Sequence, residues 1–348
     1  VSTVAVSPRA PLRVGIVGCG LIGHKRAEAL GADDTVVAAT DPVAERAERL
    51  AGVHGGQAVP SLDAVLELGP DVVVIAATHD QLAPLTERAL LGGVHVLVEK
   101  PAALGTAQVD RLLAVQDRAG RRVKVGFNHR FHPGLADLAA AVHSGEHGEL
   151  MHVRGRYGHG GRVGYDREWR AQPERSGGGE LIDQGMHLLD LTHWLAGPLP
   201  LHSALLKTQF WDMPVEDNAA IVLGDGGDRA SPWAMLHVTW TEWKNLFSIE
   251  VYCRDAKLQV DGLVRSYGAQ QLRIYRMSPE MGPPAAEERS YGVEDLSWSR
   301  EWEHFAEAIM TGGPMLGELA DARYAWATIE AAYATSPPFA SIRAAVQP

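Results

Sequence analysis

An aspartate and a histidine four residues apart, Asp183 and His187, follow the run Gly177-Gly178-Gly179 in a stretch with helical apolar spacing. On one helix the two side chains share a face, one turn apart. An imidazole titrates near neutrality, and a carboxylate beside it can orient the ring or grip a neighbouring hydroxyl. The pair is therefore suited to moving a proton. Asp-x-x-x-His also arises with no chemistry attached, so its surroundings must decide. Upstream, Glu99-Lys100-Pro101 ends the apolar run Val94 to Val98. A lysine at a strand end, followed by proline, projects a cation into a cleft. There it can donate to a carbinol or ketone oxygen and stabilise the negative charge that builds during hydride transfer. The ordinary alternative is a solvated surface Glu–Lys pair.

A third group of residues suggests what would take the hydride. Gly18-Cys19-Gly20-Leu21-Ile22-Gly23 follows the short apolar run Leu12 to Val17 and precedes the helical stretch His24 to Leu30. In G-x-G-x-x-G the first glycine permits the tight turn and the second lets backbone approach a pyrophosphate. The third lets the helix pack close to the sheet. A second strand, Thr35 to Thr40, ends at Asp41, about 20 residues on, as a dinucleotide site requires. An acid there accepts from the adenosine ribose hydroxyls and repels a 2′-phosphate, which favours NAD. Arg46, a turn into the next helix, softens that preference and keeps NADP possible.

The elements that must position these groups follow an α/β pattern. Helices are expected over Val43 to Leu50, Ser61 to Leu68 with Ser61 as cap, Gln81 to Leu91 and Thr106 to Ala119. They alternate with strands at Asp71 to Ala77, Val94 to Val98 and Val123 to Phe127. Such alternation predicts a doubly wound parallel sheet, with ligands at the carboxyl ends of its strands. After Pro133 the pattern changes to a helix over Leu135 to Val142, a strand over Glu149 to Tyr157 and a helix over 181–195. Period-two strands follow, such as Ala234, Leu236, Val238 and Trp240, with a hairpin about Asp255-Ala256. We expect two domains, a dinucleotide-binding Rossmann domain over 1–130 and an α+β domain with a large, mostly antiparallel open sheet over 131–348.

Bulk properties narrow the class further. At 348 residues the chain can bury two cores, and 46% hydrophobic with 22% charged residues is globular composition. A formal net charge of −11 without a basic cluster argues against nucleic acid. No apolar run is long enough to span a bilayer, and Val1 to Pro11 reads as a loose tail without the core of a signal peptide. Two cysteines are too few for a disulfide framework or a zinc site, which suggests a reducing, cytoplasmic setting. His143, His147, His152 and His159 lie on separate elements without acid or cysteine partners, and no metal site is expected.

Taken together, these landmarks resemble the Gfo/Idh/MocA oxidoreductases. The resemblance rests on the glycine fingerprint, on Glu99-Lys100-Pro101, on Gly126-Phe127-Asn128-His129-Arg130-Phe131-His132-Pro133, and on Gly177-Gly178-Gly179 leading to Asp183 and His187. It implies that Lys100, Asp183 and His187 match the catalytic residues of sugar and inositol dehydrogenases. Glu99 and Asn128 match positions near the nicotinamide. Thr78-His79-Asp80 and Ala83 depart from the Thr-Pro-Asn and later histidine of many members, so only Thr78 and His79 are carried over from that loop. The expected cofactor contacts are Gly18, Cys19, Gly20, Leu21, Ile22, Asp41, Thr78, His79, Glu99, Lys100 and Asn128. Tyr157, Trp169 and Arg170 join Lys100, Asp183 and His187 on the substrate side.

The expected activity is NAD-dependent oxidation of a secondary hydroxyl, the 3-hydroxyl of a sugar, amino sugar, nucleotide sugar or aminoglycoside. That position follows from the likeness of 169–190 and Pro214-Val215-Glu216-Asp217-Asn218 to one branch of the family. His187 acts as base, Lys100 steadies the oxyanion, and Asp183 orients His187 or binds an adjacent hydroxyl. The same residues would serve an NADPH-dependent ketosugar reductase, or an NAD-retaining hydrolase or lyase with no net redox change. A non-catalytic dinucleotide sensor is the remaining alternative. The resemblance also implies a homodimer or homotetramer through the open sheet.

Overall fold

The computed structural model describes residues 9–227, 230–280 and 282–346; most of the expected N-terminal tail lies outside them. The first sheet contains β1 (Arg13–Val17), β2 (Thr35–Thr40), β3 (Gln57–Ala58), β4 (Val72–Ile75), β5 (His95–Val98) and β6 (Val123–Val125). Its order is β3-β2-β1-β4-β5-β6 and every pairing is parallel. Burial on both faces explains the continuous Val/Ile runs: β4 is buried at all its positions. The crossovers are α1 (Leu21–Glu28), α2 (Ala44–His54), α3 (Leu62–Glu67), α4 (His79–Leu91) and α5 (Thr106–Ala119). Ser61 Oγ accepts the Ala64 amide at 3.3 Å and caps α3 as expected.

The chain then forms α6 (Pro133–His143), β7 (Leu150–Gly158), α7 (Pro173–Ser176), α8 (Glu180–Asp183) and α9 (Gly185–Ala196). Further strands extend a second sheet: β8 (Leu201–Lys207), β9 (Asn218–Leu223), β10 (Trp233–Thr239), β11 (Leu246–Cys253), β12 (Ala256–Asp261) and β13 (Gln271–Arg276). With β14 (Ala286–Ser290) its order is β14-β13-β12-β11-β7-β10-β9-β8, antiparallel except between β7 and β10. Helix α9 packs under β7 and β10, and the opposite face of the sheet lies open. Trp233, Met235 and Leu205 are exposed on that face in register with one another's strands.

One expected element is corrected. The stretch 181–195 is not a continuous helix: it breaks at Gln184, between α8 and α9. Gln184 keeps near-helical angles (φ −94°, ψ −31°), so Asp183 and His187 still face the same cleft. The glycine run feeds α8 through a passage too narrow for side chains: a Cβ on Gly179 would lie 2.0 Å from the Glu216 carbonyl oxygen. Glu216, buried beneath it, accepts the Gly179 and Leu181 amides at 3.1 and 3.0 Å, satisfying donors that a helix start leaves open.

The last helices are α10 (Ser297–Thr311), α11 (Leu319–Ala334) and α12 (Pro337–Val346). Helix α10 returns to the first sheet. Trp302, Phe305 and Ala306 join Val14, Ile16 and Leu97 in one core, and Trp302 Nε1 donates to Asp34 at 2.7 Å. Trp326 on α11 is fully buried and donates to the Pro101 carbonyl at 3.0 Å, fixing the loop that carries Lys100. Among the described residues, no helix is long and apolar enough to cross a membrane.

Candidate active site

At the carboxyl ends of the first sheet the turn after β1 has the shape that a dinucleotide needs. Gly18 has φ +90°, and a Cβ there would lie 2.5 Å from the Ala76 carbonyl oxygen. A Cβ on Gly23 would lie 2.1 Å from the Gly18 oxygen, so the third glycine lets α1 press against the turn. Gly20 has nothing within 4 Å of its missing Cβ, which leaves backbone open to an approaching phosphate. Asp41 lies alongside, its carboxylate accepting the Cys19 and Val43 amides at 2.8 and 2.9 Å. Arg46, mostly exposed, reaches only to 3.9 Å from it. These residues fit a dinucleotide: a glycine cradle for the pyrophosphate and an anchored acid for the ribose hydroxyls.

A cleft of about 390 Å³ opens between this turn and the second domain. Ile22, His79, Glu99, Lys100 and Asn128 line it from the first domain, and Tyr157, Trp169, Arg170, Asp183 and His187 from the second. Leu21, in the glycine turn, is exposed. Thr78 does not line the cleft: its hydroxyl donates to Asp80 at 2.6 Å, the shorter local bond available at the start of α4. His79 does, yet its Nδ1 donates to the Ser176 carbonyl at 2.9 Å and its ring meets Trp169 edge-on at 4.7 Å. It fastens the loop before the glycine run to the first domain.

Lys100 Nζ donates to Asp183 Oδ1 and to the Asp183 carbonyl, both at 2.6 Å. Arg170 Nε lies 3.3 Å from Asp183 Oδ2 and stacks over Trp169 at 4.6 Å. Burial alone would raise the Asp183 pKa, but Lys100 and then Arg170 hold it well below the ordinary carboxylate value. Nearby Glu180 is fully buried, its carboxylate oxygens have no hydrogen-bond partner among the described residues, and burial pushes its pKa well up. Among the described residues Asp183 makes no hydrogen bond to His187. Burial, followed by the charge of Lys100, pushes the His187 pKa well below the imidazole value, with Asp183 opposing. The ring is neutral at neutral pH, with a lone pair available.

Glu99 lines the cleft and is held from behind. Arg26 Nε donates to it at 2.6 Å and Arg26 Nη1 to Glu301 of α10 at 2.5 Å, all three side chains being buried. Arg130 likewise points away from the cleft, gripping Asp190 through two hydrogen bonds at 2.9 and 2.5 Å. His129, at the carboxyl end of the first sheet, also lines the cleft, and several lining residues were not anticipated: Lys25, His132, the segment Leu263 to Tyr267, and Asp295 with Trp298 before and in α10. His129 and His132 belong to the stretch that carried the resemblance. Nothing local marks the others.

The buried titratable groups set an acid limit to stability. Burial lowers the pKa of His79 to about 3 and of His132 to about 4, and those of His129 and His187 well below the usual value. A depressed folded pKa gives stability that is lost as pH falls below the unfolded value of about 6.5. Glu180, Glu216 (raised to about 7) and Asp190 (raised to about 6) act oppositely, losing stability as pH rises through the folded value. The two sets offset one another until the unfolded carboxylates protonate near pH 4, below which the imidazoles still neutral and the carboxylates held below their ordinary value, Asp183 and Glu250 among them, set the loss. Urea titrations should therefore show stability greatest at about pH 5–6.5. Below about pH 4 it should fall by roughly 1 kcal/mol per pH unit for each neutral histidine.

A parallel dinucleotide-binding sheet, sharing a lysine–aspartate–histidine cleft with an open-sheet domain, defines a class of two-domain oxidoreductase. The chain belongs to the Gfo/Idh/MocA family. Residues 12–127 match its oxidoreductase family, NAD-binding Rossmann fold, and residues 135–259 match its C-terminal domain. The N-terminal domain is thus an NAD-binding Rossmann domain. The chain is 29% identical over 322 residues to dTDP-3,4-didehydro-2,6-dideoxy-alpha-D-glucose 3-reductase of Streptomyces violaceoruber, covering 88% of each. It is 35% identical over 194 residues to inositol 2-dehydrogenase 4 of Saccharopolyspora erythraea, a match of 53% of this chain and 54% of that protein. The matched part thus spans about half of that relative's length. The crystal structure of GenD2 from gentamicin A biosynthesis, in complex with NAD, superposes with TM-score 0.80 at 22% identity over 96% of this chain and 97% of that one. That last likeness is one of fold.

Proposed function

We propose that the protein is an NAD-dependent dehydrogenase that oxidises a secondary hydroxyl, the 3-hydroxyl of a sugar, amino sugar, nucleotide sugar or aminoglycoside. The observation that carries this reading is the meeting of Lys100 from one domain with Asp183 and His187 from the other on a single cleft. Bound NAD would supply the acceptor for the hydride of the carbinol carbon. The chain's own groups supply the rest. His187, neutral, takes the hydroxyl proton as the O–H bond breaks. Lys100 donates to the carbinol oxygen and stabilises the charge gathering there. Asp183, ionised and held by Lys100 and Arg170, keeps the ammonium aimed and leaves carboxylate lone pairs for an adjacent substrate hydroxyl. Asp41 and the glycine turn would hold the adenosine and pyrophosphate, with NAD preferred over NADP because the acid repels a 2′-phosphate.

The reverse direction, ketosugar reduction, uses the same groups, and the reductase name of the S. violaceoruber relative keeps it as the second reading. A substrate panel of free, nucleotide-linked and aminoglycoside sugars, followed by nicotinamide absorbance with NAD and NADP in parallel, decides between them. NADH formation on at least one sugar is expected. Reduction of the matching ketosugar at the expense of NADPH, with no sugar oxidised, would favour the reductase, and turnover with no accumulated NADH would favour a redox-neutral reaction. The exposed Trp233, Met235 and Leu205 support pairing of two chains through the open sheet as a homodimer or homotetramer. The scarcity of cysteine supports a cytoplasmic setting.

A further inference from the structure

The ring of a histidine that moves a proton is ordinarily oriented by a hydrogen bond to the nitrogen it does not use. His187 Nδ1 is buried and has no such partner among the described residues. Its ring is held in another way. The imidazole of His129 lies parallel to it, with centroids 3.8 Å apart and planes inclined by 18°. His129 in turn is boxed in by Tyr157 at 5.4 Å, Phe247 at 5.9 Å and, edge-on, His132 at 5.5 Å.

A chain of hydrogen bonds reaches His129 from the start of α10. The Asp295 carboxylate accepts Ser297 Oγ–H at 2.6 Å and Trp298 Nε1–H at 3.0 Å. Burial would raise its pKa, but the Ser297 bond, His132 and the Trp298 bond keep it below the ordinary value, so it only accepts. The Ser297 proton is thereby spent, and Oγ can only accept from Asn128 Nδ2, at 2.9 Å. That fixes the amide, and Asn128 Oδ1 faces His129 Nδ1 at 3.1 Å. An amide oxygen accepts, so Nδ1 carries the His129 proton.

We infer that His129 is a positioning residue for His187: the chain from Asp295 through Ser297 and Asn128 locks its tautomer, and its ring face orients the neighbouring imidazole and steadies the charge that ring acquires. The inference rests on the reading of His187 as the base. When His187 gains a proton, the π face of a neutral imidazole lies directly against the new cation, a favourable arrangement in a desolvated site. Protonation of His129 as well is opposed by its burial and by the charges of His187, His132 and Lys100. The other groups facing the stacked pair are Asp183 at the end of α8, Arg26 on α1 and Tyr157 on β7.

The test uses the whole protein and three variants: Ser297→Ala, which cuts the chain outside the cleft, His129→Leu, which removes the ring, and His129→Phe, which restores a flat face. Imidazole ¹⁵N–¹H correlation spectra need no substrate. They should show neutral His129 protonated at Nδ1 at neutral pH, and a tautomer mixture in Ser297→Ala. On the sugar found by the panel, His129→Leu should lower kcat about 10- to 100-fold with KM nearly unchanged, and should move the acid limb of the pH profile. His129→Phe should recover most of that loss. A His129 protonated at Nε2, or a His129→Leu enzyme with the original kcat and pH profile, overturns the inference even if His187-dependent oxidation is established. The expected spectra with no turnover on any sugar would instead uphold the chain and sink the proposed function.

Discussion

Replacing His187 by alanine should lower kcat by about 10² to 10⁴-fold while leaving NAD affinity within about twofold. The asymmetry follows from where the side chain lies. His187 enters the cleft from α9 of the second domain, whereas the glycine turn and Asp41 belong to the first. Loss of the imidazole removes a proton acceptor without touching the dinucleotide cradle. Steady-state rates with a titration of cofactor binding by tryptophan fluorescence would measure both. Equal loss of turnover and binding would mean that the ring supports the cofactor instead. Because burial and Lys100 depress its pKa, the wild-type acid limb should lie below the ordinary imidazole value of about 6.5. Activity should therefore persist at pH values where an exposed histidine would already be charged.

Lys100→Met should act on two properties at once. It removes the donor to the developing oxyanion, an effect of about 10²–10³-fold in kcat. It also strands the Asp183 carboxylate, whose side chain is only 14% exposed and which loses a partner at 2.6 Å. Arg170 at 3.3 Å compensates in part. Breaking a buried pair by removing one partner costs about 3–5 kcal/mol, so urea unfolding should report a loss of up to that size. Adding Asp183→Asn to Lys100→Met should return much of the stability and none of the turnover. If stability and turnover recovered together, the pair would be structural.

The parts of the site that sequence makes visible are those whose geometry is local. A glycine at each turn position, an acid at the end of the next strand and a lysine fixed before a proline all act through their immediate neighbours. Asp183 and His187 are visible by spacing even though their helix breaks, because Gln184 between the two segments stays near helical angles. Partners set by tertiary approach are different. Asp295 and Trp298 reach the cleft, and Ser297 reaches Asn128 behind it, only because α10 folds back on the first sheet, held by Trp302 and by the Glu301–Arg26 pair. Val264 and Arg265 overhang the cleft on a loop that forces positive φ on both (63° and 51°), and neither residue type advertises that conformation. Thr78, expected among the cofactor contacts, donates its hydroxyl to a carboxylate two residues on, a local bond that the motif alone does not reveal.

The account stands on Lys100 and His187 acting on one oxygen, from opposite domains, in the same step. The rate of NADH formation by the double variant Lys100→Met/His187→Ala, set against the two single variants on the same sugar, measures this directly. Residues that act as a unit are strongly non-additive, so the double variant should be about as slow as the slower single one. Losses that multiply in full would show two groups working independently, and would contradict the shared site.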